Sequence, residues 1–372
     1  VNLSFVPAPL ALLPWRIIFA LVALTCFGAL VLYSAAGGSF QPYAFAQLVR
    51  FSVFLVLAFG MSLLRRDLVF LAAYPVYGIV VGMLVLVEVL GAVKGGSQRW
   101  LNLGPIVLQP SELMKPAIVL VLASFYHSLP AGLVGSWRAL VPAAVLMGIP
   151  IALVLLQPDL GTTISIAFVG VIVMFLAGLP MKWFIAGGVM AAIAAPLLYF
   201  FGLHDYQRQR VTTFLDPESD PLGTGYHITQ SEIAIGSGGV FGKGFGNGSQ
   251  SHLNYLPEAH TDFVFATMAE EWGLAGGLFV LLIFGMVLRW GMRVGRNAPD
   301  RFSRLMAAGM TATIFFYVMI NTMMVMGLAP VVGIPLPFMS YGGSSMLTNM
   351  ICIGTLMMID RWSRQARPPS YG

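Results

Sequence analysis

Asp262 closes the run Pro257-Glu258-Ala259-His260-Thr261-Asp262-Phe263, after which the chain is almost wholly apolar through residue 288 apart from Glu270 and Glu271. A carboxylate at such a boundary is partly stripped of water, which raises its pKa and makes it a better base. The same position also suits a helix cap, supplied by Thr261 or Asp262. In Gln109-Pro110-Ser111-Glu112-Leu113-Met114-Lys115-Pro116, Glu112 and Lys115 stand three apart, with Arg99 upstream. On a helix they share one face, and form either a local ion pair at its start or a polar lining for a charged substrate. In Gln157-Pro158-Asp159-Leu160-Gly161-Thr162, Pro158 stops one helix and Asp159 either caps the next or serves a site. Arg208 and Arg210 are separated by Gln209 in Tyr206-Gln207-Arg208-Gln209-Arg210. Such a pair can grip an anionic group bidentately. At a membrane surface that group is a lipid phosphate, a diphosphate, or bulk headgroups.

Two further segments are rich in helix breakers. Gly236 to Gly248 carries a dense run of glycines around Lys243, but it fails as a phosphate loop because Gly244 follows the lysine where Ser or Thr is required. It reads as flexible backbone, a hinge or a close-approach surface. Asn321 to Ser345 holds Gly327, Pro330, Gly333, Pro335, Pro337, Gly342 and Gly343 and no charge. That pattern describes an irregular or re-entrant segment, allowed at membrane depth only where protein or water satisfies its backbone.

The elements that must position these residues are membrane helices. Of 372 residues 58% are hydrophobic and only 9% charged, against roughly 25% charged in a soluble domain. Apolar stretches long enough to cross about 30 Å of hydrocarbon recur along the chain. We expect an all-α polytopic membrane protein with about ten spans, near 17–35, 47–64, 68–90, 113–129, 139–157, 160–178, 183–202, 264–288, 305–328 and 341–360. The first span is read as a retained helix and not a signal peptide, because Arg16 is its only basic leader residue and further spans follow. Cys26 and Cys352 fall inside spans and give no disulfide framework.

Ten spans put both ends on one side. Thirteen of the 20 Lys and Arg (Arg16, Arg65, Arg66, Arg138, Lys182, Arg289, Arg293, Arg296, Arg301, Arg304, Arg361, Arg364, Arg367) lie on that side. The seven others are Arg50, Lys94, Arg99, Lys115, Arg208, Arg210 and Lys243. Cytoplasmic loops carry the basic excess, so both termini are expected in the cytoplasm. The net charge of +5 therefore serves orientation and does not indicate nucleic acid. The chain is expected to form a single membrane domain: spans one to seven over 17–202, a large outer loop at 203–263, spans eight to ten over 264–360, and a cytoplasmic tail at 361–372. A loop of that length is usually functional or disordered. Tyr226, Ile228, Ile233, Ile235, Phe241 and Phe245 suggest that it packs on the bundle.

Taken together, these segments resemble the SEDS family of shape, elongation, division and sporulation proteins. The resemblance is most specific in Asn321, Gly327-Leu328-Ala329-Pro330-Val331-Val332-Gly333-Ile334-Pro335-Leu336-Pro337 and Ser340-Tyr341-Gly342-Gly343-Ser344-Ser345. The motifs around Glu112, Asp159 and Asp262 add to it. Asp205 to Arg210, Asp216 to Gly223 and Gly225-Tyr226-His227-Ile228 are similar to the rod-shape branch. The resemblance implies a peptidoglycan glycosyltransferase that polymerises lipid II on the periplasmic face of the bacterial inner membrane. It implies Asp262 as the catalytic acid and Glu112, Lys115 and Asp159 as polar positions of a central cavity. With Arg99, Arg208, Arg210, His260 and Ser340 these form the candidate substrate-binding set. No protein metal site or organic cofactor is expected, and a divalent cation (Mg or Mn) at the diphosphate stays open. The implied partners are lipid II, the nascent glycan strand, a class B penicillin-binding protein and other elongation-complex membrane proteins.

Two other classes fit parts of the pattern. Intramembrane acids and broken helices also serve transporters and lipid flippases, but no internal repeat is visible and the polar groups gather on one face. A non-catalytic scaffold for wall enzymes would need none of the acids.

Overall fold

The protein is described from a computed structural model that covers residues 13–94, 97–103, 106–202, 208–209, 212–214, 216, 223–253, 255–256 and 258–366. Ten long helices fall where the apolar stretches predict them. They are α1 (Trp15–Ala35), α2 (Tyr43–Ser62), α3 (Arg66–Leu90), α4 (Pro110–Ser128), α5 (Trp137–Leu156), α6 (Leu160–Leu176) and α7 (Met181–Leu197), then α10 (Val264–Asn297), α11 (Arg301–Val325) and α12 (Gly343–Gln365). The intervening loop adds α8 (Thr224–Gly238) and a single turn, α9 (Ser249–His252).

Length and composition make seven of these able to cross a membrane: α1, α2, α3, α5, α7 with the π-helical turn that follows it, α10 and α11. Helix α6 is apolar but shorter, and α4 and α12 are more polar. The polarity of these two follows from their position. Helix α4 packs against α3, α5, α6, α11 and α12, and α12 against α2, α4, α10 and α11. Helices enclosed by protein need not present an apolar surface to lipid. At the other extreme, α7 has no buried residue.

The all-α expectation needs one addition. Between α3 and α4 the chain forms a three-stranded antiparallel sheet, β1 (Ala92–Lys94), β2 (Ser97–Leu103) and β3 (Ile106–Leu108). Gly95-Gly96 and Gly104-Pro105 bracket the middle strand in the sequence, and such pairs are hairpin signals.

The glycine run has a definite job. Helix α10 is broken at Gly273, whose φ is 61° and ψ −157°. The break frees backbone groups, and the run supplies their partners. Lys243 N–H donates to Glu270 O and Gly244 N–H to Glu271 O, both at 3.0 Å. Leu274 N–H donates to Gly239 O at 2.9 Å and Ala275 N–H to Val240 O at 3.1 Å. Only glycine fits here: a Cβ on Gly242 would lie 2.0 Å from Glu271 O, and one on Gly238 the same distance from Ala269 O. Of the three readings offered for this run, close approach describes it.

On the face opposite Asp262, side chains close the helix ends. Arg66 pairs with Asp300 at 2.9 Å, Arg301 donates to Ala177 O at 2.7 Å, and Arg361 to Leu64 O at 2.8 Å. Burial alone would raise the Asp300 carboxyl, but hydrogen bonds from Arg66 and Ser303 outweigh it and hold the group below its ordinary value.

Candidate active site

The irregular segment between α11 and α12 organises the site. Positive φ at Gly327, Gly333 and Phe338 turns the chain repeatedly, and its apolar residues Val331, Ile334, Leu336, Phe338 and Met339 are buried. It touches α11, α2, the start of α6 and the approach to α10. Asn321 on α11 donates to Ile334 O, and Gln47 on α2 donates to Phe338 O at 3.0 Å. Gly161, two residues past Asp159, lies so close that a Cβ there would stand 2.9 Å from Val332 O. Tyr341 N–H donates to His260 O at 2.9 Å. The last bond fastens the approach to α10 onto the segment.

Asp262 sits in that approach, half-buried, one residue before the N-cap Phe263. Asn321 donates to its backbone carbonyl at 2.8 Å, and its Oδ2 lies 3.4 Å from where a Cβ on Gly333 would project. The neighbouring Thr261 hydroxyl is turned to Glu258 at 2.7 Å. His260, on the same turn, stacks on Tyr43 with ring centroids 4.2 Å apart. Burial pushes the His260 imidazole below its usual pKa, and Glu258 at 4.0 Å pulls upward without cancelling this. Arg50 completes the group, donating to the Tyr341 hydroxyl at 3.0 Å and lying 4.4 Å over its ring. The structure thus gathers Asp262, His260, Tyr43, Tyr341 and Arg50 at one end of the bundle.

A second group surrounds Asp159. Its carboxylate accepts from Thr162 N at 3.1 Å and Thr162 Oγ at 3.0 Å, so it does cap α6. It also accepts from Gln109 Nε2 at 3.1 Å and lies 3.8 Å from Arg99. Arg99 donates to Gln157 O at 2.9 Å and Pro158 O at 2.5 Å, clasping the turn that carries Asp159.

The third group is enclosed. Lys115 is fully buried and donates to Glu112 Oε1 at 2.5 Å and the Tyr317 hydroxyl at 2.7 Å. Tyr317 in turn donates to Glu112 Oε2. Both charges therefore have partners, as buried charges must. The remaining candidates are more scattered. Arg208 donates to Phe200 O at 2.8 Å, and Ser340 accepts from Leu336 N at 2.8 Å inside the irregular segment. Arg210 lies outside the described residues.

Sequence reasoning did not single out Arg50, Tyr43, Tyr317 or Tyr341. For Arg50 a signal was present: it stands inside the apolar run of α2, where an ionised group is costly and functional by default. The tyrosines gave none, since aromatic residues in spans are ordinary packing. No three His, Cys, Asp or Glu come together among the described residues. A cation of the Mg²⁺ kind usually takes one or two carboxylates and the rest of its ligands from substrate phosphates and water, a donor set that Asp262 could join.

Fold and site define a polytopic helical membrane protein with a carboxylate group set into one membrane face by a breaker-rich segment. Residues 15–365 match the cell cycle protein family of FtsW, RodA and SpoVE, and the chain belongs to this family, the SEDS proteins. The peptidoglycan glycosyltransferase MrdB of Escherichia coli (strain K12) is 44% identical over 343 residues, 91% of each chain. Stage V sporulation protein E of Bacillus subtilis (strain 168) is 39% identical over 285 residues, 76% of each. A chain solved in a peptidoglycan synthase complex that coordinates polymerization and crosslinking superposes with a TM-score of 0.82 at 32% identity, covering 95% of this chain and 99% of that one. The rod shape determining protein RodA of Thermus thermophilus gives 0.70 at 29% identity, covering 94% and 97%.

Proposed function

We infer that this chain is a peptidoglycan glycosyltransferase that polymerises lipid II into β-1,4-linked glycan during cell elongation. The observation that carries the chemistry is the carboxylate of Asp262, held over Gly333 at the start of α10 with its backbone clamped by Asn321. Asp262 takes the proton of the acceptor sugar's 4-hydroxyl as that oxygen attacks the anomeric carbon of the donor MurNAc. The new O–C1 bond forms, the C1–O–phosphate bond breaks, and undecaprenyl diphosphate departs with the electron pair. One base with a diphosphate leaving group gives inversion by direct displacement, from the α-linked donor to the β-linked product.

Charge grows on the diphosphate as it leaves, and cations stabilise it. Arg208 and Arg210 remain assigned to this task, and Arg50 beside the His260 turn joins them. Arg99 and Lys115 act less directly, because their donors are already engaged by Gln157, Pro158, Glu112 and Tyr317. They hold Asp159 and Glu112 in place and set the potential around them.

The protein works in the bacterial inner membrane with both termini in the cytoplasm and Asp262 in the periplasm; the basic excess on the side opposite Asp262 supports this orientation. A class B penicillin-binding protein within the elongation complex supplies crosslinking. The relative found in a peptidoglycan synthase complex supports that pairing.

The test uses purified protein and lipid II in detergent. Asp262→Asn, nearly isosteric, is expected to lower glycan synthesis by at least about 100-fold, the lower range for a positioned base, while melting as the parent does. Undiminished polymerisation would remove Asp262 from the chemistry. Sided lipid translocation in liposomes without synthesis would replace the reading with a flippase.

A further inference from the structure

A cleft of about 580 Å³ opens between the start of α1 and the ends of α10 and α12, on the face opposite Asp262. Its lining includes Trp15, Arg16, Arg289, Trp290, Arg293 and Arg364. Arg289 and Arg293 stand one turn apart on α10 and so project from one face. Trp290 between them is buried, while Trp15 is exposed at the rim. Arg364 pairs with Asp360 at 2.6 Å. Among the described residues no carboxylate pairs with Arg16, Arg289 or Arg293. Three uncompensated guanidinium groups from two helices therefore converge on one concavity.

Arginines scattered over this face would be ordinary orientation signals. A concave site is different: its volume is that of a ligand cavity, which runs from about 300 to 1,000 Å³. Like charges held together favour an anion, and planar guanidinium forks match phosphate oxygens. Indole rings sit by preference at the headgroup level, and exposed Met286 at the lip offers apolar surface to an acyl chain. Basic pockets between spans at a membrane surface bind anionic headgroups.

We propose that this cleft is a binding site for an anionic phospholipid of the adjacent leaflet. Arg289 and Arg293 hold the phosphodiester, Arg16 closes over it, and the chains run past Trp15 and Met286. The site is separate from the glycosyl-transfer site and does not depend on it.

The experiment reconstitutes the full chain in nanodiscs of phosphatidylcholine with a minor share of phosphatidylglycerol, and measures by native mass spectrometry the lipid that stays bound. The parent should retain phosphatidylglycerol over phosphatidylcholine. At about fivefold per arginine, Arg289→Gln with Arg293→Gln should reduce this preference roughly 30-fold. The control pair Arg65→Gln and Arg138→Gln, on the same face but outside the cleft, should leave it unchanged. Should the α10 variant fail to fold, Arg16→Gln at the exposed start of α1 reads the same site, with about a fivefold loss expected. Unchanged preference in the cleft variants, or an equal loss in the control pair, would overturn the proposal. Displacement of the lipid by millimolar inorganic phosphate would do so too, by assigning the cleft to a soluble phosphate compound.

Discussion

Asn321 holds Asp262 from behind: one side-chain amide nitrogen donates at 2.8 Å to Asp262 O and at 2.8 Å to Ile334 O. The bonds tie the α10 approach to the irregular segment on which the Asp262 carboxylate rests. Asn321→Leu keeps the volume and removes both donors. Losing a buried donor costs about 1–3 kcal/mol, and a small misplacement of a base costs up to about 100-fold in rate. Polymerisation of lipid II should therefore fall between about 10- and 100-fold. The fall should appear in kcat more than in KM, since Asn321 acts by positioning Asp262.

The glycine run separates its positions sharply. Gly242→Ala drives a Cβ against Glu271 O, whereas Gly236→Ala meets nothing within 4 Å. The first should destabilise by about 1–3 kcal/mol or more, the usual penalty for overpacking, and the second should be close to neutral. Thermal unfolding of the two variants in detergent checks the contrast. Equal melting temperatures would mean that the run does not dock on α10.

Glu112, Lys115 and Tyr317 test the buried ion pair. Lys115→Met leaves Glu112 enclosed without its counter-charge and should cost about 3–5 kcal/mol. Adding Glu112→Leu removes the orphaned charge, so the double variant should recover much of that stability. Denaturation of the single and double variants gives the coupling directly.

His260 makes stability depend on pH. Its folded pKa lies below the ordinary value because burial disfavours the imidazolium. Below about pH 6.5, the usual histidine value, the unfolded chain binds a proton that the folded chain resists. The His260 contribution is thus complete above that pH and is lost as pH falls toward the folded pKa. His260→Phe keeps the stacking on Tyr43 and should flatten the melting-temperature profile across this window.

The membrane fold was legible because lipid imposes a simple rule: each span is apolar and about 20 residues long. The rule weakens where protein replaces lipid, which is why α4 and α12 are not among the helices apolar enough to cross. The acids were legible for the same reason, since Glu112, Asp159 and Asp262 are expensive where they stand. Their company was not. Arg99 looked like a cation for a substrate, yet its donors meet carbonyls fifty-odd positions away, at Gln157 and Pro158. Tyr317 lies 205 positions from Glu112, and no periodicity announces such a meeting. The short sheet between α3 and α4 escaped because β1 and β3 span three residues each, too few for a period-two pattern to stand out.

The four backbone bonds across the Gly273 break join a loop to a helix as neighbouring strands are joined in a sheet. Amides so shared lose or keep their shelter collectively. Solvent exchange at Lys243, Gly244, Leu274 and Ala275 should accordingly proceed in step, making the glycine run and the broken stretch of α10 one cooperative unit. A molecule that pries up the loop would then be felt in the backbone leading back to Asp262, without touching the carboxylate itself.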